Sequence, residues 1–206
     1  MSSYNEFYKF SFNGDNTGVL SMSEVSGNKT KLQKISGSTF DVEVGVNDLS
    51  VTDVLSVTRT KLSKGFTETT VYTDVDGDGN FEQAFEMEVA GAGVKTSKLE
   101  KLKFTVDANT GDVLGVQELK RGKWVNDRIE ADESFEQIDL DGVNYIVKSE
   151  QDGNGVEFEL FRDDNADGIW TQVAEGEASG DFLTLDGSVD LVGVKDYLLV
   201  SETIVG

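Results

Sequence analysis

Thr70-Val71-Tyr72-Thr73-Asp74-Val75-Asp76-Gly77-Asp78-Gly79-Asn80-Phe81-Glu82 is the stretch from which the rest of the chain is read. Its first four residues alternate apolar and polar at the period of a β-strand. The next five place carboxylates at Asp74, Asp76 and Asp78. A tight turn needs one Asp-Gly or Asn-Gly step, not three alternating acids. Two like charges ~4 Å apart cost about 1 kcal/mol even at the dielectric of water, and more where water is partly shut out. Gly79 permits a sharp reversal, so the loop curls and brings the three acids together. Such a loop makes physical sense around a cation. Calcium takes six to eight oxygens and tolerates irregular geometry.

Working outward, the chain repeats itself. Glu68 to Gly79 lines up with Glu157 to Gly168 at an offset of 89, and Gln83 and Glu86 then align with Gln172 and Glu175. Phe10 to Leu20 matches Phe104 to Leu114 at an offset of 94, with a one-residue slip inside the turn. A partial third copy runs from Phe182 to Val194, echoing Phe104 to Val116. The expected organisation is a first β repeat over 1–93, a second over 94–179, and a truncated third or closing strands over 180–206. Tyr8 to Phe12, Leu102 to Val106 and Val156 to Phe161 alternate as Thr70 to Thr73 does, and Asn-Thr-Gly and Asp-Gly steps mark hairpin turns. The segment Phe81 to Val89 is ambiguous. Phe81, Phe85 and Val89 fit helical spacing, but its counterpart Ile169 to Glu177 carries Thr171, Val173 and Gly176, so a strand is expected for both. The fold class is all-β: an internally duplicated antiparallel meander, propeller-, barrel- or sandwich-like, with calcium loops between strands.

Composition narrows the chemistry. The 206 residues hold 18 Lys plus Arg against 39 Asp plus Glu, a formal net charge of −21. That field repels nucleic acid and anionic membrane and attracts cations. There is no Cys, His or Pro. Thiolate sites, disulfides and histidine-based zinc or nucleophilic chemistry fall together, which leaves oxygen ligands and hard cations. No stretch approaches the ~18 apolar residues of a membrane span, so membrane insertion is not expected. Met1-Ser2-Ser3-Tyr4-Asn5-Glu6 lacks the basic and apolar regions of a cleavable secretory signal. Either the protein stays in the cytoplasm, or a signal has been removed from it, or it leaves the cell by a route that reads another part of the chain.

Asp74 to Glu82 resembles the D-x-D-x-D-G calcium loop of EF-hands, dockerin-type repeats and the FG-GAP loops of integrin-like β-propellers. The resemblance makes Asp74, Asp76 and Asp78 side-chain ligands at loop positions 1, 3 and 5, with Gly79 at position 6. It makes Asn80 a backbone-carbonyl donor, Phe81 the apolar residue and Glu82 an acid at position 9. An EF-hand has a bidentate Glu at position 12, where this chain has Phe85. Glu86 follows one place later, but in a strand it lies ~13 Å from Glu82 along the chain. The hairpin form of the loop therefore fits better than the EF-hand form. The second copy keeps Asp163, Asn165, Asp167 and Gly168 at positions 1, 3, 5 and 6, with Ile169 at position 7. Thr171 replaces the acid of position 9. Fewer carboxylates imply weaker binding, or a degenerate relic of the first loop. An acidic, Cys-free, Gly-rich chain with such loops and an apolar tail also resembles bacterial type I secretion substrates, which carry an uncleaved C-terminal export signal.

Other constellations carry less. Asp152-Gly153-Asn154-Gly155 and Asp139-Leu140-Asp141-Gly142 read as hairpin turns. Trp124, Trp170, Tyr145 and Phe161 could form a sugar-stacking platform, although core packing is the commoner use of such residues. Gly91-Ala92-Gly93 reads as a linker, and Lys95, Lys98, Lys101 and Lys103 as a solvated face. The expected function is a calcium-binding, secreted or cell-surface β protein with a structural or adhesive role, calcium stabilising the fold. A calcium-dependent module for a glycan or cell-surface partner is the alternative, and a carboxylate-based hydrolase is the least favoured.

Overall fold

The period-two segments become strands in a computed structural model, which describes residues 6–46, 53–91, 94–95, 99–107, 110–153, 155–184, 187–191, 195 and 198. The architecture is all-β with antiparallel pairing. The chain divides into two compact units, Met1–Ser63 with Thr67–Glu86, and Lys64–Phe66 with Met87–Gly206.

In the first unit β1 (Glu6–Phe12), β2 (Val19–Ser26) and β3 (Lys29–Leu32) form a three-stranded sheet in that order. Then come β4 (Ser38–Val46), β5 (Asp53–Ser63), β6 (Phe66–Asp74) and β7 (Glu82–Ala90), hydrogen-bonded in chain order, with β6 and β7 each crossing the division between units. Lys64 and Gly65, at φ 54° and 93°, make the two-residue β5–β6 turn, where both central residues must be left-handed. The segment that was ambiguous in sequence is strand β7. Phe85, Met87 and Val89 are all buried at every second position, and Met87 is the residue that separates period two from a helix. A core of Met22, Val57, Tyr72 and Phe81 is lined by Tyr8, Phe10, Phe12, Val19, Ile35, Phe40 and Leu55.

In the second unit β8 (Lys101–Val106), β9 (Val113–Lys120), β10 (Lys123–Asp127), β11 (Glu133–Leu140), β12 (Val143–Asp152), β13 (Gly155–Arg162) and β14 (Trp170–Ser179) follow. Their spatial order is β10-β9-β8-β14-β13-β12-β11. In the first unit β3-β2-β1 meets β7-β6-β5-β4 through one bridge, Tyr8 with Phe81. Adding seven to each label of the first order gives the second. Register shifts fall at Ser11/Phe12 between β1 and β2, and at Thr105/Val106 between β8 and β9. The second core, Leu102, Val116 and Phe161 with Phe104, Val113, Ile129, Phe135 and Trp170, uses positions 89 to 95 residues after members of the first.

Of the propeller-, barrel- and sandwich-like forms expected, a closed barrel is not formed among the described residues. Within each unit the strand run is open among the described residues, with β3 and β4 at the ends of one and β10 and β11 at the ends of the other. Exposed Lys29 and Lys31 on β3, and Glu136 and Asp139 on β11, put charge on these edges. Edge charges oppose further strand pairing. The tail contributes a 3-10 turn, Gly180–Phe182, a bridge between Leu183 and Val189, and helical backbone at Leu191, Lys195 and Leu198. Ala92, Gly93, Lys98 and most of the expected third copy beyond Leu191 lie outside the described residues.

Candidate metal centre

The loop joining β6 to β7 starts at the last residue of β6, Asp74, whose neighbours Val71 and Tyr72 are buried. The strand thus carries Asp74 inward, and it is 7% exposed. The chain then reverses at Gly77 and Gly79, both left-handed at φ 74° and 81°. This conformation costs an L-residue roughly 1–2 kcal/mol and glycine almost nothing. The reversal gathers Asp74, Asp76 and Asp78, with one carboxylate oxygen of each lying within 4.8 Å of the others. Asp76 and Asp78 are exposed.

Backbone donors hold the acids in place. The Gly79 N–H donates to Asp74 Oδ2 at 3.0 Å, the Asp78 N–H to Asp76 Oδ1 at 3.2 Å, and the Asn80 N–H to Asp78 Oδ1 at 2.7 Å. The Asn80 side-chain amide donates to Asp78 Oδ2 at 2.6 Å. These bonds from Asn80 hold the Asp78 carboxyl below its ordinary pKa, and the charge of Lys9 on β1 adds to the effect. Asp78 therefore stays ionised, as a metal ligand must. The decisive atom is Asp74 Oδ1. It is buried and has no hydrogen-bond partner. An unsatisfied buried carboxylate oxygen costs ~1–3 kcal/mol or more, and a cation among the three acids would satisfy it.

The other expected first-loop residues sit differently. Asn80 is half-buried and follows the three acids, so its backbone lies at the loop's exit. Glu82 is exposed at the first position of β7 and stands outside the three-acid group. Phe81 is buried and bridged to Tyr8, so strand alternation sets Glu82 on the opposite face. Glu86 accepts a hydrogen bond from the Gln83 amide at 2.9 Å.

The second loop, between β13 and β14, repeats the frame. The Gly168 N–H donates to Asp163 Oδ2 at 2.8 Å, the Asp167 N–H to Asn165 Oδ1 at 3.3 Å, and the Ile169 N–H to Asp167 Oδ1 at 2.8 Å. One bond is added: the Asp167 N–H also reaches Asp163 Oδ1 at 3.2 Å. Both oxygens of Asp163 are thus engaged, where Asp74 keeps one without a partner. Asn165 gives its amide to Asp167 rather than a third carboxylate, and Asp163, Asn165 and Asp167 form no three-acid group. Ile169 is half-buried at the loop's exit. Asp164 points to Arg162 in an ion pair.

The minor sequence candidates resolve simply. Asp139 caps a hairpin turn, accepting the Gly142 N–H at 2.8 Å. Phe161 and Tyr145 are buried, and Trp170 packs edge-on to Phe104 at 6.0 Å, so three of the four aromatics of the sugar platform serve the core. Trp124 lies under the Lys103 ammonium, 4.6 Å from its ring centre. Sequence reading missed Lys9, which comes to the loop from 65 residues or more away along the chain. Nothing in local spacing signals it. No family model, no curated protein and no solved structure matches this chain.

Proposed function

We propose that the Asp74 loop binds a calcium ion that stabilises the fold, in a secreted or cell-surface β protein with a structural or adhesive role. The observation that carries this reading is the buried, unpartnered Oδ1 of Asp74 beside the carboxylates of Asp76 and Asp78. Oxygen-only ligands without His or Cys favour a hard cation, and the irregular loop favours calcium over magnesium. The Asn80 carbonyl and Glu82 complete the proposed ligand set, Glu82 by way of a water. Asp163, Asn165, Asp167 and the Ile169 carbonyl form a weaker second site. Low intracellular calcium leaves the loop self-repelling. High extracellular calcium fills it, which favours a working place outside the cell.

The chain is also read as an internal duplication. Supporting this are the matching strand orders, the shared positions of the bulges and the matched cores. Gln172 bonds Glu175 at 2.7 Å just as Gln83 bonds Glu86. Each unit then carries one loop, with the second drifting toward a self-satisfied turn.

Calorimetric titration with calcium tests both statements. The expected result is one tight site that Asp76→Ala removes and one weak site that Asp163→Ala removes. No heat of binding and no change in melting temperature on adding chelator would sink the metal reading.

A further inference from the structure

The loop's exit residue is also a structural joint. Phe81, which directly follows Asn80, donates its N–H to the Tyr8 carbonyl at 2.8 Å and accepts the Tyr8 N–H at 2.8 Å. This isolated bridge is where β1 meets the β4–β7 strands within the first unit. The Phe81 ring, 2% exposed, sits edge-on to Phe10 at 4.9 Å and tilted against Phe12 at 6.2 Å. The same residue thus closes the acidic loop, bonds the backbone of β1 and fills the core beneath it. The second unit makes the joint at the equivalent place, Trp170 pairing with Leu102, and extends it by one pair, Thr171 with Lys101. Its Trp170 ring meets Phe104 as Phe81 meets Phe10. A shorter joint therefore accompanies the loop with the unsatisfied carboxylate.

We infer that the Asp74 loop is a metal-operated clasp: a bound divalent cation fixes the chain at Asn80 and so fastens β1, with β2 and β3, to β7 through the Tyr8–Phe81 bridge. The inference rests on the metal reading and adds a regulated element to it. Without the ion, repulsion among Asp74, Asp76 and Asp78 pulls on the residue that makes the bridge. With the ion, the loop is rigid and Phe81 is held in register with Tyr8. Linkage makes this reciprocal, so loosening the bridge must weaken the ion by the same factor.

Amide hydrogen exchange on the full chain, in calcium and in chelator, decides it, with calorimetry on the same samples reporting binding independently. Calcium is expected to slow exchange at Tyr8 and Phe81 by about ten-fold or more, and at the β4–β5 ladder by much less, as local opening requires. Asp76→Ala should abolish both the binding and the change. Tyr8→Pro removes the N–H that bonds Phe81, and should weaken calcium by about the factor seen in exchange. Should that variant fail to fold, the exchange measurement on the natural chain still decides. Calcium that binds while Tyr8 and Phe81 exchange as before overturns the clasp and leaves the metal site standing. Absence of binding overturns both.

Discussion

Asp74 is a carboxylate whose two oxygens have different fates. One accepts the Gly79 N–H, and the other is buried without a partner. Asp74→Asn should therefore change sign with conditions. In chelator the variant is expected to match or exceed the natural chain by up to about 1 kcal/mol, because a buried charge is gone. In calcium it should be the less stable of the two, as chemical denaturation in both conditions would show. The second loop offers a simpler test. Ala166 holds the position of Gly77 with φ 55°, a left-handed conformation that costs a side chain. Ala166→Gly is expected to stabilise the protein by about 0.5–1 kcal/mol, read from a denaturant midpoint with unchanged slope.

Among the elements, β8 begins beside a half-buried acid. Burial, then the charges of Glu159 and Glu118, push the Glu100 carboxyl up from 4.5 to about 7, with Lys148 opposing. Between those pH values the folded chain holds a proton that the unfolded chain has released. Stability from this group is therefore present at pH 4.5 and lost as pH rises through 7. Glu100→Gln should raise the melting temperature at pH 8 by a few degrees and leave it unchanged near pH 4.5, with solvent screening keeping the gain modest. β7 was legible as a strand because the segment aligned with it in sequence, Ile169 to Glu177, carries β-branched residues, and Met87 makes the burial period two. Phe81 anchors that strand, and Phe81→Ala is expected to cost about 3–5 kcal/mol, measured by chemical denaturation in chelator. Its loss would come from the cavity beneath Phe10 and Phe12, apart from any effect on the ion.

For the whole molecule the governing quantity is a net charge of −21. Self-repulsion of that size lowers the stability of a compact state, and bound cations relieve it. Calcium at a hundred times its dissociation constant should add about 2.7 kcal/mol, which for a chain of this length raises the melting temperature by about 5–10 °C. Calorimetry with calcium and then with excess chelator checks both the size and the reversal. The proposed duplication has a consequence at this scale too. If one copy of the loop has drifted, Asp163→Ala should leave most of the calcium-dependent stabilisation in place, and Asp76→Ala should remove most of it.

The sequence by itself determined the strand class, the two acidic loops, the strand nature of β7 and the absence of Cys and His as metal ligands. Each of these is a matter of period, spacing or residue type, which local chain geometry obeys. The spacing of carboxylates likewise set the three acids of the Asp74 loop apart from the two, Asp163 and Asp167, of the second loop. What only the tertiary structure decided depends on residues far apart in the chain. Burial of Asp74 left one oxygen without a partner, and strand alternation set Glu82 on the face opposite Phe81. Of the propeller-, barrel- and sandwich-like forms left open by the sequence, a closed barrel is not found among the described residues. Tyr8 and Lys9 came to the loop from β1. Pairing across some seventy residues is set by packing against a shared core, and no local pattern encodes it.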